Sequence, residues 1–485
     1  MNGADLALVA VTALLSVPTI AALVLMRVPD YRLGAKLNVG ATFLCLLSAA
    51  ALFQVRPEAN LYLRVDDFNT YLIALNNFIS FTTSLFSAGY IAHELESGRL
   101  SPLYLRFYHA MYQALLFAMN LALLANNIGL LWVAIELATL ITVLMVGLYR
   151  TRAALEAAWK YFILGSLGIA LALFGTTLVY VAAQPVIGQG LPAMAWDRLI
   201  ARADAFDPAL LNLAFVFFLL GYGTKAGLVP LHAWLPDAHA EGPTPISAVL
   251  SGLLLNVALY AVLRFKMLMS ANSLALAPGP LMIGLGLLSL LFAGLMFYRR
   301  GDMKRLFAYS SIEHMGIMTF AFGMGGPLAN FAGLLHMAMH SLTKSAIFFT
   351  VGHIAQVKGT QRISTIRGLT ITHPALGWGL VAGVIAIAGM PPFGVFMSEF
   401  LVVSSTFVRQ PWLALPLVLG LLLAFGTLLW RLHGVAFGQP DNAPFVPVRA
   451  NTLATTVHLL LVLVAGFWLP VPLVDWLRHI AMLLN

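Results

Sequence analysis

Long apolar runs broken by short polar segments fill the chain almost from end to end. A helix needs about 20 residues to cross a hydrocarbon core of about 30 Å. Fourteen stretches qualify, at residues 5–26, 38–55, 71–93, 107–126, 127–149, 160–183, 209–238, 244–263, 279–298, 306–324, 328–355, 374–403, 411–430 and 452–477. The pattern predicts an all-α polytopic membrane protein with about fourteen transmembrane helices. The first run follows MNGADL, which has no basic n-region, and no clear cleavage motif comes after it, so it reads as a helix rather than a signal peptide.

Two runs are interrupted. GYGTKAGLVPLHAWLPDAHAEGPTPIS (221–247) has Gly221, Gly223, Gly227, Pro230 and Pro236 in and beside one span, and VAGVIAIAGMPPFGVFMSEFLVV (381–403) is broken by Gly389, Pro391, Pro392 and Gly394. Interrupted helices at matching positions in two halves are the mark of transporter repeats. Their placement is consistent with two five-helix units, helices 4–8 and 9–13, each with one broken helix. The chain then divides into 1–106 (helices 1–3), 107–266 (helices 4–8), 267–438 (helices 9–13) and 439–485 (helix 14). No residue-level repeat is visible; the division rests on the breaks and charges.

Composition agrees with a lipid solvent. Charged residues are only 9% of 485, hydrophobic ones 60%, and mean hydropathy is +0.89. The net charge of +8 follows the loops: Arg27, Arg32, Lys36, Arg99, Arg150, Arg299, Arg300, Lys304, Lys358, Arg362 and Arg449 all fall on one side if the N-terminus lies outside. Basic residues accumulate on the cytoplasmic side, so both termini are expected outside the cell inner membrane. Arg264 and Lys266 count among the basic residues of the outer segments. Inner-leaflet anchoring accounts for the charge, so no nucleic-acid partner is called for. The chain has a single cysteine, Cys45, and lacks a phosphate-binding loop, a dinucleotide turn or a long hydrophilic domain. No cofactor or metal is expected, and redox chemistry must belong to partners.

Charges inside spans carry the candidate chemistry. Glu136 lies mid-helix in LLWVAIELATLITVLMVG, and Lys225 sits at the first break, where freed carbonyls and water can solvate an ammonium. In FAGLLHMAMHSLTKSAIFFTVGH, His336, His340 and Lys344 follow at four-residue steps. Each step turns about 400° and rises about 6 Å, so the three share one face. Glu313 and His314 lie mid-span, and Glu399 closes the second broken helix. Ionisable groups within the membrane mark functional paths, proton relays among them. An ammonium is costly when buried and less so beside a carboxylate, so moving one against the other changes proton affinity. Plainer readings stand beside these. Glu136 and Lys225 would make a structural ion pair. HMAMH has metal-pair spacing without the glutamate of a zinc-protease motif. His232, Asp237 and His239 would cap or anchor a helix end, and Glu313 and His314 would bond neighbouring helices.

KAGLVPLHAWLPDAHAEGPTPIS, DMKRLFAYSSIEHMG, HMAMHSLTKSAIFF and GMPPFGVFMSEF resemble the signature segments of antiporter-like, proton-pumping membrane subunits. That family is shared by respiratory complex I, Mrp-type cation/proton antiporters and membrane-bound group 4 hydrogenases. SSIEHMG and SLTKSAIFFTVGHIAQVKGTQ are most similar to the hydrogenase-4 component F type, and the likeness spans roughly residues 65 to 440. The resemblance implies a fourteen-helix core with inverted repeats and a central hydrophilic axis. It matches Glu136 to the family's helix-five glutamate, Lys225 to its broken-helix lysine, His336, His340 and Lys344 to its linking ladder, and Glu399 to its helix-twelve charge. Many relatives carry a helix-eight lysine where this chain has Asn256. His232, Asp237, Asn256, Glu313 and His314 are accessory candidates.

The reading that results is a proton-translocating subunit of a hydrogenase-4-like or complex I-like assembly. Its partners would be other membrane subunits and a peripheral redox module, of hydrogenase or NADH dehydrogenase type, that drives it. A sodium/proton antiporter module and a non-conducting hydrogenase scaffold remain as alternatives.

Overall fold

The computed structural model describes residues 3–299, 301–440 and 452–485, and these form helices and connecting turns with no strand among them. Arg300 and Arg449 lie outside the described residues. The first group of helices is α1 (Gly3–Leu25), α2 (Tyr31–Ala51), α3 (Asp67–Glu96), α4 (Pro102–Leu124), α5 (Ile128–Val146), α6 (Arg152–Ile187) and α7 (Trp196–Arg202). Next come α8 (Pro208–Ala226), α9 (Trp234–Glu241), α10 (Thr244–Val249), α11 (Leu255–Ser270), α12 (Gly279–Phe297), α13 (Met303–Met324) and α14 (Gly326–Lys358). The chain continues through α15 (Leu369–Thr372), α16 (Pro374–Ile387), α17 (Gly394–Arg409), α18 (Pro411–Phe437), α19 (Leu453–Phe467) and α20 (Val471–Leu483).

Helix starts fall where a short polar side chain precedes an apolar run. Asp30, Asn127, Thr151, Asp207 and Asp302 each accept a backbone N–H of the first turn of α2, α5, α6, α8 and α13, satisfying donors that a lipid environment cannot. Asp66 and Asn69 make a reciprocal capping box at α3. Pro102, Pro208, Pro374 and Pro411 open their helices at the first position, where a missing N–H does no harm.

Nine helices among the described residues are long and apolar enough to cross a bilayer, or up to ten if the bent pair α19–α20 is one span. Other expected spans coincide with helices that apolarity alone does not detect. α3, α13 and α14 are long but carry interior polar groups, and α16 and α17 are separated by a break. α10, α11, α13 and α14 are buried nearly all round. Outward residues such as Leu144, Trp159, Trp412 and Leu422 are large, apolar and exposed, as a lipid-facing surface requires. The polar groups therefore gather on the interior helices.

Three expectations need correction. The run 452–477 is not one straight helix: α19 and α20 meet at 82°, because Pro470 and Pro472 cannot continue the backbone bonding of α19. Arg264 and Lys266, counted with the outer segments, are buried residues of α11, and Lys304, counted with the inner loops, is buried at the start of α13. Each has found interior partners: Arg264 the Asp66 carboxylate, Lys266 the Leu484 carbonyl, and Lys304 the Gly242 and Ala240 carbonyls at 2.6 and 3.2 Å.

Candidate functional site: a buried ionisable core

Both interrupted runs break as their Gly and Pro content requires. α8 ends at Gly227, whose φ of +79° only glycine adopts readily, and α9 begins at Trp234. α16 gives way to α17 through Gly389, also at positive φ (+68°). A Cβ on Gly389 would overlap the Glu399 carboxylate, so the missing side chain is what lets that carboxylate rest against the break.

Lys225, in the last turn of α8, is 1% exposed. Its Nζ donates to the Tyr161 hydroxyl at 2.5 Å and lies 4.4 Å from the centre of the Tyr161 ring and 5.4 Å from that of Trp234. Those two rings stack at 4.1 Å, and Trp234 Nε1 donates to the Thr224 carbonyl at 2.8 Å, holding α9 against the end of α8. Tyr161 in turn donates to Thr142, whose own hydroxyl is committed to the Ala138 carbonyl. The ammonium is thus held by an aromatic clamp that lowers the cost of burying it. Glu136, half-buried on α5, makes no direct ion pair with Lys225. One of its carboxylate oxygens has no hydrogen-bond partner among the described residues.

α14 and α13 bring the second cluster together. His336, His340 and Lys344 are fully buried on α14, and His314 of α13 faces them, its ring centre 5.1 Å from that of His336 and 5.3 Å from that of His340. His314 Nδ1 and His336 Nε2 are 2.9 Å apart. The network assigns the protons. Ser398 donates to the Val395 carbonyl, so it accepts from His336 Nδ1 at 2.8 Å. The Nε2 of His336 then carries the lone pair that receives His314 Nδ1–H. Glu399 Oε1 lies 3.9 Å from His314 Nδ1, and Glu313 Oε2 lies 3.9 Å from His314 Nε2. Lys344 donates to the Phe307 carbonyl at 2.6 Å. Neither ring nitrogen of His340 has a hydrogen-bond partner among the described residues.

Glu313 and Glu399 also line a cavity of about 390 Å³ whose walls include Gly389, Pro391, Leu422 and Phe425. Ligand atoms of His314, His336 and Glu399 all lie within 4.8 Å of one another, a spacing that suits a metal ion.

The accessory candidates separate. Asn256 follows a π-turn (Leu250–Leu254) and donates to Ser341 Oγ of α14 at 2.7 Å. Asp237 lies nearer the surface and takes Lys160 at 3.1 Å and Arg305 at 2.9 Å, tying α6, α9 and α13 together. It is a structural bridge. His232 sits in the first break against Phe292 and Tyr309.

Sequence reasoning missed Tyr161, Ser398 and Glu94. Tyr161 reads as one more aromatic in an apolar helix. Ser398 directly precedes Glu399 and carried a signal only in being polar beside a break. Glu94 is wholly buried, accepting from Tyr149 at 2.9 Å and Gln356 at 2.8 Å, yet its place near the end of α3 gave it the look of a solvated residue.

A multi-pass membrane protein with ionisable side chains buried at two helix breaks is the class these features define. The chain belongs to the NADH:quinone oxidoreductase/Mrp antiporter transmembrane family, whose pattern matches residues 125–424. It is 61% identical to the hydrogenase-4 component F homolog of Methylacidiphilum infernorum over 474 residues, 98% of this chain and 99% of that one. Its fold matches a chain of the membrane-bound sulfane sulfur reductase, an archaeal respiratory membrane complex, with a TM-score of 0.87 at 23% identity, covering 98% of this chain and 97% of that chain. A chain of respiratory complex I from Thermus thermophilus matches with a TM-score of 0.80 at 22% identity, covering 98% of this chain and all of the other. The family expected from the four motifs is therefore the family of the chain.

Proposed function

We propose that this chain is the proton-translocating membrane subunit of a hydrogenase-4-like redox complex. The observation that carries the reading is the pairing of ionisable groups with helix breaks: Lys225 at the first, Glu399 at the second, and His314, His336, His340 and Lys344 buried in the core that α14 and α13 build beside Glu399. Broken helices offer free backbone groups and room for water where a bilayer offers neither. Glu136 acts as the movable counter-charge of Lys225: it is not locked to the lysine in an ion pair, and one of its carboxylate oxygens is without a hydrogen-bond partner among the described residues.

With no redox cofactor motif in its sequence, the chain is driven by other membrane subunits and a peripheral hydrogenase-type module. Two inverted repeats, residues 107–266 and 267–438, follow from the matching breaks. The cell inner membrane, with both termini outside, follows from the clustering of basic residues in alternate loops. The test is proton uptake by proteoliposomes carrying the assembled complex. Coupled uptake lost in Lys225→Ala and retained in Asp237→Asn supports the reading; coupled uptake unaffected by Lys225→Ala refutes it.

A further inference from the structure

Beyond Asn256, α11 has a buried polar face that the proposed axis does not use. Asn256, Tyr260 and Arg264 follow one another at four-residue steps and so share that face. All three are buried, Arg264 at 5% exposure. At the inner end, the amide nitrogen of Asn256 is bound to α14, while its Oδ1 has no hydrogen-bond partner among the described residues. Asn256 lines a small cavity with Asn76 and Leu123, and Asn76 Oδ1 is likewise unpartnered. Tyr260 donates to the carbonyl of that same Leu123 at 3.1 Å and accepts from Arg264 Nε at 3.0 Å.

Arg264 is then held from every side. Its Nη2 donates to Asp66 Oδ2 at 2.7 Å, and its guanidinium carbon lies 5.0, 5.4 and 5.5 Å from the ring centres of Tyr260, Phe68 and Trp196. Immediately beyond it a cavity of about 550 Å³ is lined by Arg56, Arg64, Asp66 and Asp67, whose side chains are partly exposed. A polar seam thus runs from beside the ionisable core to a charged, open cavity, and one cation stands across it.

We infer that Arg264 is an electrostatic plug, pinned by Asp66 and the three rings, that seals the α11 seam against back-leak of protons from the core to the open cavity. A guanidinium stays charged at any physiological pH, and a fixed positive charge in a narrow polar path repels protons and cations. Asp66 supplies the partner without which the buried charge would be untenable. The inference rests on the core carrying protons, but its test does not require coupled pumping.

The experiment measures passive proton influx into proteoliposomes carrying the assembled complex, with the redox module idle and a potassium diffusion potential imposed. Arg264→Gln should leak protons several-fold faster than wild type, and Arg264→Lys should stay tight. Adding Asn256→Leu to Arg264→Gln, which fills the inner end of the seam, should bring the leak back down. A tight Arg264→Gln complex overturns the plug, as does a leak that Asn256→Leu leaves unchanged. Should Arg264→Gln fail to assemble, Asp66→Asn keeps the α3 cap while unpinning the guanidinium. A raised leak there supports the plug and a tight membrane overturns it. Leak in Arg264→Gln with no coupled pumping by wild type would sink the proposed function and leave the plug standing.

Discussion

Lys225 Nζ lies 2.5 Å from the Tyr161 hydroxyl, so the lysine at the first break is held by a phenol from α6 rather than by the carboxylate of Glu136. A charge-assisted hydrogen bond of this kind contributes about 1.5–3 kcal/mol. Tyr161→Phe keeps the stacked ring and removes only that bond. Translocation should fall by about tenfold at the lower end of that range, with assembly unchanged, measured as proton flux per complex. Wild-type flux in Tyr161→Phe would mean that the hydroxyl only fills space.

One carboxylate oxygen of Glu136 has no hydrogen-bond partner among the described residues, which fits a counter-charge that is needed only part of the time. Glu136→Gln should impair pumping, and Glu136→Asp should keep a part of it. Equal pumping by Glu136→Gln and wild type would end the toggle idea.

His336 is bonded through both ring nitrogens, to His314 and Ser398, whereas His340 is bonded through neither. Losing His336 therefore disrupts α13 and α17 contacts together, while water can take the place of His340. Proton flux should drop further in His336→Ala than in His340→Ala, and Lys344→Ala should be severe. A triple alanine variant that pumps normally would remove this face from the mechanism.

Asn256 lines the small cavity it shares with Asn76, and its Oδ1 has no hydrogen-bond partner among the described residues. Asn256→Leu fills that space with apolar volume and should slow translocation, while Asn256→Ala leaves room for water and should be better tolerated. The opposite order, at matched assembly levels, would point to the amide contact with Ser341 as its whole role.

Much of this was legible in the sequence, for physical reasons. Gly227 and Gly389 announce helix breaks because a left-handed residue cannot be disguised, and the His336–His340–Lys344 ladder is visible because helical spacing alone puts those residues on one face. Tyr161 was hidden because an aromatic in an apolar helix serves lipid and ligand equally well. Arg264 stands in the sequence as one more basic residue of an outer segment. Its four-residue steps from Asn256 and Tyr260 carried the signal, but only the fold supplies Asp66, nearly two hundred residues earlier, to hold it. The turn between α19 and α20 was concealed because Pro470 and Pro472 stand in an otherwise unbroken apolar run.

The central claim is that the ammonium at the first break carries the transported proton, and the proton-to-electron ratio of Lys225→Ala complex in proteoliposomes tests it most directly. The account predicts redox turnover with coupled proton translocation abolished and the complex intact. A ratio equal to that of wild type, from mutant complex assembled to the same level, would contradict it.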